Sequence, residues 1–397
     1  MLAQRLRHFP PNVFSEFTAL AAKHGAINLG QGFPDFDGPE EIKEAAIRAI
    51  RDGINQYAIS MGARALREAI AEHSARFYDM PVDPETMVSV TSGATEAIFD
   101  TVMGLVDPGD EVLVFEPCFD TYAPAVTMAG GVPRFVQLRP PDAQHSTWWF
   151  EPDELAAAFS DRTKLVVLNT PHNPTGKVYS RAELELIASL CERHDAFVLA
   201  DEVYEHIVYE PARHLRIATL PGMRERTITV SSGGKTFSFT GWKIGWAIAV
   251  PKLRDAVHNA HQWVTFASAA PLQAAIAAAL RLQDSYFQEL ARRYRARRDL
   301  LSRALEEAGL QPLAVEGTFY AMTDVSASGF TDDYELCRFL TREVGVAAIP
   351  SSALQSVPDS KRLLARFAFC KTEAVLEQAA ARLRALRERL GAARVNR

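Results

Sequence analysis

The stretch RTITVSSGGKTFSFTGWKIGW, Arg226 to Trp246, decides how the chain is read. Its β-branched opening, Thr227 to Val230, predicts a short buried strand. Two serines and two glycines follow and deliver one lysine, Lys235. Small neighbours let a bulky group approach that backbone. A second lysine, Lys243, comes at the next turn between Trp242 and Ile244. An amine held away from water loses its proton more readily and can then form a Schiff base. A surface lysine in a glycine loop fits the same pattern, so this segment alone leaves both readings open.

Composition narrows the choice. With 397 residues, 48% of them hydrophobic, the chain can bury a large core. That predicts two domains, or one large α/β domain with an appendage. Net charge is −6 and no basic stripe occurs, which argues against a nucleic-acid partner. Cys118, Cys191, Cys337 and Cys370 are scattered without a CxxC pair. Neither a disulfide framework nor a zinc site is expected. No apolar run reaches transmembrane length. The start, MLAQRLRHFPPNVF, carries arginines but no apolar signal core, so a cytoplasmic location is the expectation.

Outward from Lys235, apolar runs at 87–90, 111–115, 132–138, 164–168 and 196–200 read as further strands. Helices are expected at 14–24, 39–52, 65–77, 97–106, 120–129 and 154–159. Another starts at a capping box, Ser180 with Glu183. This alternation predicts an α/β fold with a mostly parallel, seven-stranded-type sheet flanked by helices. Residues 252–281 read as helical, and 284–308 as a long amphipathic helix. Beyond them, strands at 313–322, 346–349 and 363–369 and helices at 334–343 and 373–390 predict a smaller α+β domain. The expected division is an arm at 1–13, a large domain at 39–283, and a small domain made of 14–38 and 284–397. Pro10-Pro11 should keep the arm extended.

Ligands in such sheets sit beyond the carboxyl ends of the strands. Residues 91–95, 169–176, 201–204 and 231–235 all follow strands, so they can meet in one crevice. Thr91 to Thr95 is either an anion site at a helix start or an ordinary strand–helix turn. Asp201 ends a strand, with Tyr204 three residues on. Arg366 lies in the apolar run LLARFAF, where its charge is costly unless a carboxylate answers it. Each residue also has a plain reading: Asp201 as a helix cap, Tyr204 as core, Arg366 paired with Glu373. Trp148-Trp149 should pack on the domain surface, and His172 should face its loop. Glu202 and His206 have metal-compatible spacing but no third ligand nearby, so they read as a helix face. No metal site is expected.

Ten stretches across residues 14–371 now carry a resemblance. They are NLGQGFPDF, NQY, SGATEA, EPCFDTY, NTPHNPTGKV, DEVYEH, SSGGKTFSFTGWKIGW, GTFY, VAAIP and RFAFCK. Together they resemble fold-type I pyridoxal 5′-phosphate (PLP) aminotransferases of class I, in particular the kynurenine and methionine aminotransferase group. The resemblance implies that Lys235 carries PLP and moves the substrate α-proton. It implies that Asp201 faces the ring nitrogen, and that Asn173 and Tyr204 hold the ring's phenolic oxygen. Phe119 would stack on the ring. Ala94, Thr95, Ser232 and Lys243 would hold the phosphate, with Tyr57 reaching it from the other subunit of a homodimer. Arg366, Asn173 and the Gly32 backbone would bind the substrate α-carboxylate.

By the same resemblance, Phe14, Phe33, Tyr57 and the neighbouring subunit's Phe266 position line the side-chain pocket. An aromatic, uncharged pocket implies methionine, phenylalanine, tyrosine or kynurenine as donor and a 2-oxo acid as acceptor. The histidine that follows the pocket phenylalanine in some kynurenine aminotransferases is Ala267 here, a departure that bears on kynurenine. Alternatives are an N-succinyldiaminopimelate aminotransferase, with Arg5 or Arg7 near a distant carboxylate, and a cysteine-conjugate β-lyase. A PLP-binding regulator is the non-enzymatic alternative.

Overall fold

The computed structural model describes residues 3–7, 9, 12–356, 362–386 and 388–390. Across the central sheet the seven strands run Val88–Thr91, Gly245–Ile248, Thr227–Ser232, Phe197–Asp201, Thr163–Asn169, Glu111–Glu116 and Val132–Gln137. Five of the strands pair parallel in a continuous block. Gly245–Ile248 runs antiparallel to both of its neighbours.

Alternation along each strand divides the side chains between two layers. Val166, Leu168 and Val198 enter one core, with Leu184, Ile187 and Leu190 of the helix Arg181–Arg193. Leu165, Val167 and Leu199 enter the other, with Ile98 and Val102 of Ala94–Leu105 and Val257 of Pro251–Val264. Period two on a strand buried on both faces needs apolar residues at every position, which these runs supply. Burying each such side chain contributes roughly 1.5–3 kcal/mol. The capping box of Ser180 and Glu183 is present at the start of Arg181–Arg193.

A second, antiparallel sheet runs Ile349–Pro350, Leu364–Ala368, Tyr320–Asp324, Gln311–Pro312. Ile27–Asn28 pairs parallel with Val346–Ala347. One core joins Phe17 of the helix Val13–His24 to Leu301 and Leu305 of Asp284–Glu307 and to Phe319 and Phe367.

Several expectations are corrected. Residues 252–281 form two helices, Pro251–Val264 and Ala270–Leu280, because Phe266 turns to φ +67° between them. The expected strand at 313–322 is interrupted: the N–H groups of Glu316 and Gly317 bond to the Gly176 carbonyl instead of a strand. Trp148 is buried, not superficial. Arg139 pairs with Trp149 backbone to backbone, so alternation turns Trp148 inward, and Trp149 stacks on His145 at 3.8 Å. His172 does face its own loop, bonded to the Thr175 hydroxyl at 2.8 Å, and is buried there, which pushes its imidazole down to about 3. Residues 203–206 form a turn, not a helix face. Glu202 pairs with Arg216 at 2.8 Å, while His206 Nε2 lies 2.7 Å from His73 Nε2. Of the expected arm, Met1, Leu2, His8, Pro10 and Pro11 lie outside the described residues, and Gln4–Leu6 forms a short 3-10 turn.

Candidate active site

Four strand ends open on one cavity of about 150 Å³. Ala94, Thr95, Asn173, Asp201, Ser232 and Lys235 all line it. Phe119, Tyr204 and Lys243 line it too.

At one end lies an anion cradle. The helix Ala94–Leu105 starts after Gly93 at φ +79°, without a side-chain cap. Its first-turn N–H groups therefore keep no intrahelical partner, and the helix dipole adds partial positive charge. Lys243 comes in beside them: a Cβ on Gly93 would sit 3.1 Å from Lys243 Nζ. Glycine leaves the room the ammonium uses. Burial lowers the Lys243 pKa, and the charge of Lys235 lowers it further. Two cations, a hydroxyl and a helix start suit a phosphate.

Asp201 sits at the floor, fully enclosed. Burial pushes its carboxyl up to about 6, and a hydrogen bond from Tyr122 opposes that rise. The Tyr122 hydroxyl donates to Oδ2 at 2.6 Å. Asn169 ends the adjacent strand and accepts the Asn173 N–H at 2.7 Å, which fixes the next loop.

Lys235 Nζ donates to the Gly32 carbonyl at 3.2 Å and lies 5.5 Å from the Phe319 ring centre. Tyr204 donates to Tyr320 Oη at 3.3 Å. Burial raises the Tyr204 phenol, and Tyr320 adds to the rise. Gly32 has no space for a side chain, since a Cβ there would meet Tyr320 Oη at 1.8 Å.

Arg366 does not pair with Glu373. Its Nη1 donates to Asn173 Oδ1 at 3.0 Å and its Nη2 to the Gly30 carbonyl at 2.9 Å. The guanidinium stacks 4.1 Å from the Tyr320 ring centre and 4.9 Å from that of Phe14. Its Nε has no partner, and no acid among the described residues pairs with it. A buried cation answered only by neutral oxygens selects a carboxylate ligand.

Gly32, Arg366 and Phe14 do not line the cavity itself, and neither do Tyr57 and Phe266, which were expected from a neighbouring subunit. Tyr57 is 86% exposed and Phe266 45% exposed, and they meet each other edge-on at 5.5 Å. Phe33 is also exposed, with Lys371 Nζ 4.8 Å from its ring. Conversely, Tyr122, Asn169 and Tyr320 were not singled out from the sequence. Tyr122 and Tyr320 lie inside the motifs EPCFDTY and GTFY, but only the fold shows what their hydroxyls touch.

Comparison with known proteins agrees with this geometry. Residues 24–383 match the model of the family described as aminotransferase class I and II, and the chain belongs to that family. It is a PLP-dependent aminotransferase. The chain is 42% identical to a methionine aminotransferase of Escherichia coli, over 96% of this chain and 97% of that one. It is 42% identical to kynurenine–oxoglutarate transaminase 3 of Mus musculus, over 95% and 88% of the two chains. The solved structure of N-succinyldiaminopimelate aminotransferase from Mycobacterium tuberculosis superposes with a TM-score of 0.94 at 44% identity, covering 97% of this chain and all of that one.

Proposed function

We propose that the chain moves the amino group of a hydrophobic, aromatic or sulfur-containing L-amino acid to a 2-oxo acid. Methionine, phenylalanine and kynurenine are the donor types. The observation that carries the reading is one cavity lined by a buried carboxylate at Asp201 and a lysine at Lys235, with the guanidinium of Arg366 bonded at 3.0 Å to Asn173 on its wall. Similarity to methionine and kynurenine transaminases supports the donor class.

The residues present fit PLP. Ala94, Thr95, Ser232 and Lys243 would hold its phosphate, joined by Tyr57 of a second copy. Asp201 would hold the ring nitrogen, Asn173 and Tyr204 the phenolic oxygen, Phe119 the ring face, and Lys235 the covalent anchor. When bound, the cofactor supplies an electron sink for the carbanion left by α-proton removal. Arg366 and Asn173 bind the substrate α-carboxylate and so fix the face that Cα–H presents. Gly32, with its backbone against Lys235, closes the same carboxylate site. Lys235 Nζ takes the α-proton and later returns it. Asp201 stays ionised against the ring nitrogen, and Tyr122 stabilises that charge.

Phe14, Phe33 and the partner copy's Phe266 position shape the side-chain pocket. The chain is assigned to a homodimer with shared sites. Tyr57 and Phe266, exposed and edge-on to each other, form an aromatic patch suited to a second copy. The assigned division is an arm at 1–13, a large domain at 39–283 and a small domain from 14–38 and 284–397. No helix of the described residues is long and apolar enough to cross a membrane. A cytoplasmic site of action accords with four unpaired, buried cysteines.

A second donor has a specific observation in its favour, the 44% identity to a probable N-succinyldiaminopimelate aminotransferase of Mycobacterium tuberculosis. One spectrum tests these readings. The purified protein with PLP is titrated with methionine, without acceptor, and compared with N-succinyl-L,L-diaminopimelate. A visible band that moves to the near ultraviolet with methionine supports the proposal. A shift only with the succinylated donor replaces the donor class. A band that persists while β-substituted donors release keto acid and ammonia indicates the β-lyase. No cofactor band overturns the reading.

A further inference from the structure

Behind the anion cradle lies a cluster that the transamination chemistry does not use. Glu96 and Asp100 project from the same face of the helix Ala94–Leu105, and His261 meets them from Pro251–Val264. Their ligand atoms all lie within 4.8 Å of one another. His261 Nδ1 is 3.0 Å from Glu96 Oε1 and 3.9 Å from Asp100 Oδ2. The Thr265 hydroxyl touches the same Glu96 oxygen and lies 3.2 Å from His261 Nδ1. Asp100 and His261 are completely buried, and Glu96 is 8% exposed.

The tautomer of His261 follows from its other nitrogen. Nε2 lies 3.0 Å from the Ser60 carbonyl. A carbonyl only accepts, so Nε2 carries a proton, and Nδ1 is the atom aimed at the carboxylates. A second proton on Nδ1 answers Glu96. It leaves both oxygens of Asp100 buried without a hydrogen-bond partner. A proton on Asp100 cancels that charge but gives its own O–H no acceptor. Either arrangement strands a polar group that costs about 1–3 kcal/mol.

A divalent cation between the three side chains removes both problems. Around a tetrahedral ion with bonds of about 2.0–2.1 Å, ligand atoms stand roughly 3.3 Å apart. The separations from His261 Nδ1, 3.0 Å to Glu96 and 3.9 Å to Asp100, straddle that edge, and the Thr265 hydroxyl, bonded to Glu96, supports that ligand from outside. Imidazole with carboxylates and no sulfur is a donor set for zinc-class ions. The Nε2 contact to a carbonyl is the outer support that a ligating histidine ordinarily has. Thr265 is exposed and gives a route in. We propose that Glu96, Asp100 and His261 bind one divalent transition cation of the zinc class, leaving the fourth position to water.

A second convergence, His73, Glu205 and His206, serves as the contrast. There Glu205 is already held by Arg216 Nη2 and the Ser231 hydroxyl, each at 2.7 Å. The two imidazoles bond each other at 2.7 Å. Both oxygens of Glu205 are thus taken, and the neighbouring guanidinium would repel a dication. Only the Glu96 cluster has an unanswered ligand. Glu96 also accepts the Ser92 N–H on the turn into Ala94, so an ion there would stiffen the entry to the cradle.

The test uses the full chain with its cofactor, stripped with chelator and equilibrated with cobalt or zinc. Metal per chain is measured after gel filtration, alongside the thermal midpoint. The expected result is one ion per chain and a raised midpoint. Asp100→Asn, nearly isosteric, should bind at least tenfold more weakly and lose the rise. His261→Gln should do the same, and if it fails to fold, Asp100→Asn decides alone. Absence of stoichiometric binding, or equal binding in Asp100→Asn, overturns the proposal. Neither outcome bears on the transamination reading, which the methionine titration tests separately.

Discussion

Tyr122 donates its hydroxyl proton to Asp201 Oδ2 at 2.6 Å, from a helix that follows a different strand of the sheet. The carboxylate therefore has a neutral donor on Oδ2, while its Oδ1 accepts the Val203 N–H at 3.3 Å.

Removing that donor should disturb the charge state of Asp201. A hydrogen bond to a charged group contributes about 1.5–3 kcal/mol. Burial already raises the Asp201 carboxyl, and Tyr122 restrains the rise. In Tyr122→Phe the acid limb of the kcat/KM profile should move to higher pH. At neutral pH kcat/KM should fall roughly ten- to hundredfold. A pH profile identical to that of the parent would reduce Tyr122 to a packing residue.

Arg366 touches the group that all α-amino acids share. Arg366→Ala should raise KM for methionine, phenylalanine and kynurenine by a similar factor, roughly a hundredfold. Steady-state kinetics on the three donors checks this. A loss confined to one side-chain type would move Arg366 into the specificity pocket.

Gly32 is sterically committed. In Gly32→Ala the new methyl displaces Tyr320, which stacks on Arg366 and accepts from Tyr204. Overpacking of this kind costs about 1–3 kcal/mol. Urea denaturation should show that loss, and KM should rise more than tenfold. Unchanged stability would mean that Tyr320 has an alternative rotamer at no cost.

Two buried imidazoles, His73 and His172, and the partly buried His206 make stability sensitive to acid. Burial holds His73 down to about 4, and His172 and His206 down to about 3. Their folded values lie below the ordinary 6.5, so the unfolded chain takes up protons that the folded chain refuses. The contribution is complete above pH 6.5 and is lost as pH falls through the folded values. Each histidine adds about 1 kcal/mol per pH unit in that window. Urea midpoints from pH 7 to pH 5 should fall, and His172→Gln should flatten the slope. A midpoint independent of pH would show these rings protonated in the fold.

The sequence carried the sheet because its strands are continuous β-branched runs, and it carried Asp201, Lys235 and Arg366 because each is a charge set in apolar surroundings. Other features were not legible for identifiable reasons. Gly245–Ile248 is a strand because it sits between Thr227–Ser232 and Val88–Thr91 and pairs antiparallel with both. Trp148 is core because of one backbone pairing ten residues away. Tyr122 and Tyr320 stood inside quoted motifs, yet a hydroxyl's partner is a fact of tertiary approach, not of spacing. Glu96 and Asp100 have ordinary helical spacing, and the His261 that gives them meaning is remote in the chain.

The antiparallel strand Gly245–Ile248 has a consequence for how this site can change. Ser232 and Gly245 face each other across the ladder, so residues 233–244 form a clip fastened to the sheet at both ends. Lys235 lies just inside one fastening and Lys243 just inside the other. An insertion or deletion within the clip would shift both amines together. The two lysines behave as one part of fixed length, exchangeable by point substitution but not by re-spacing.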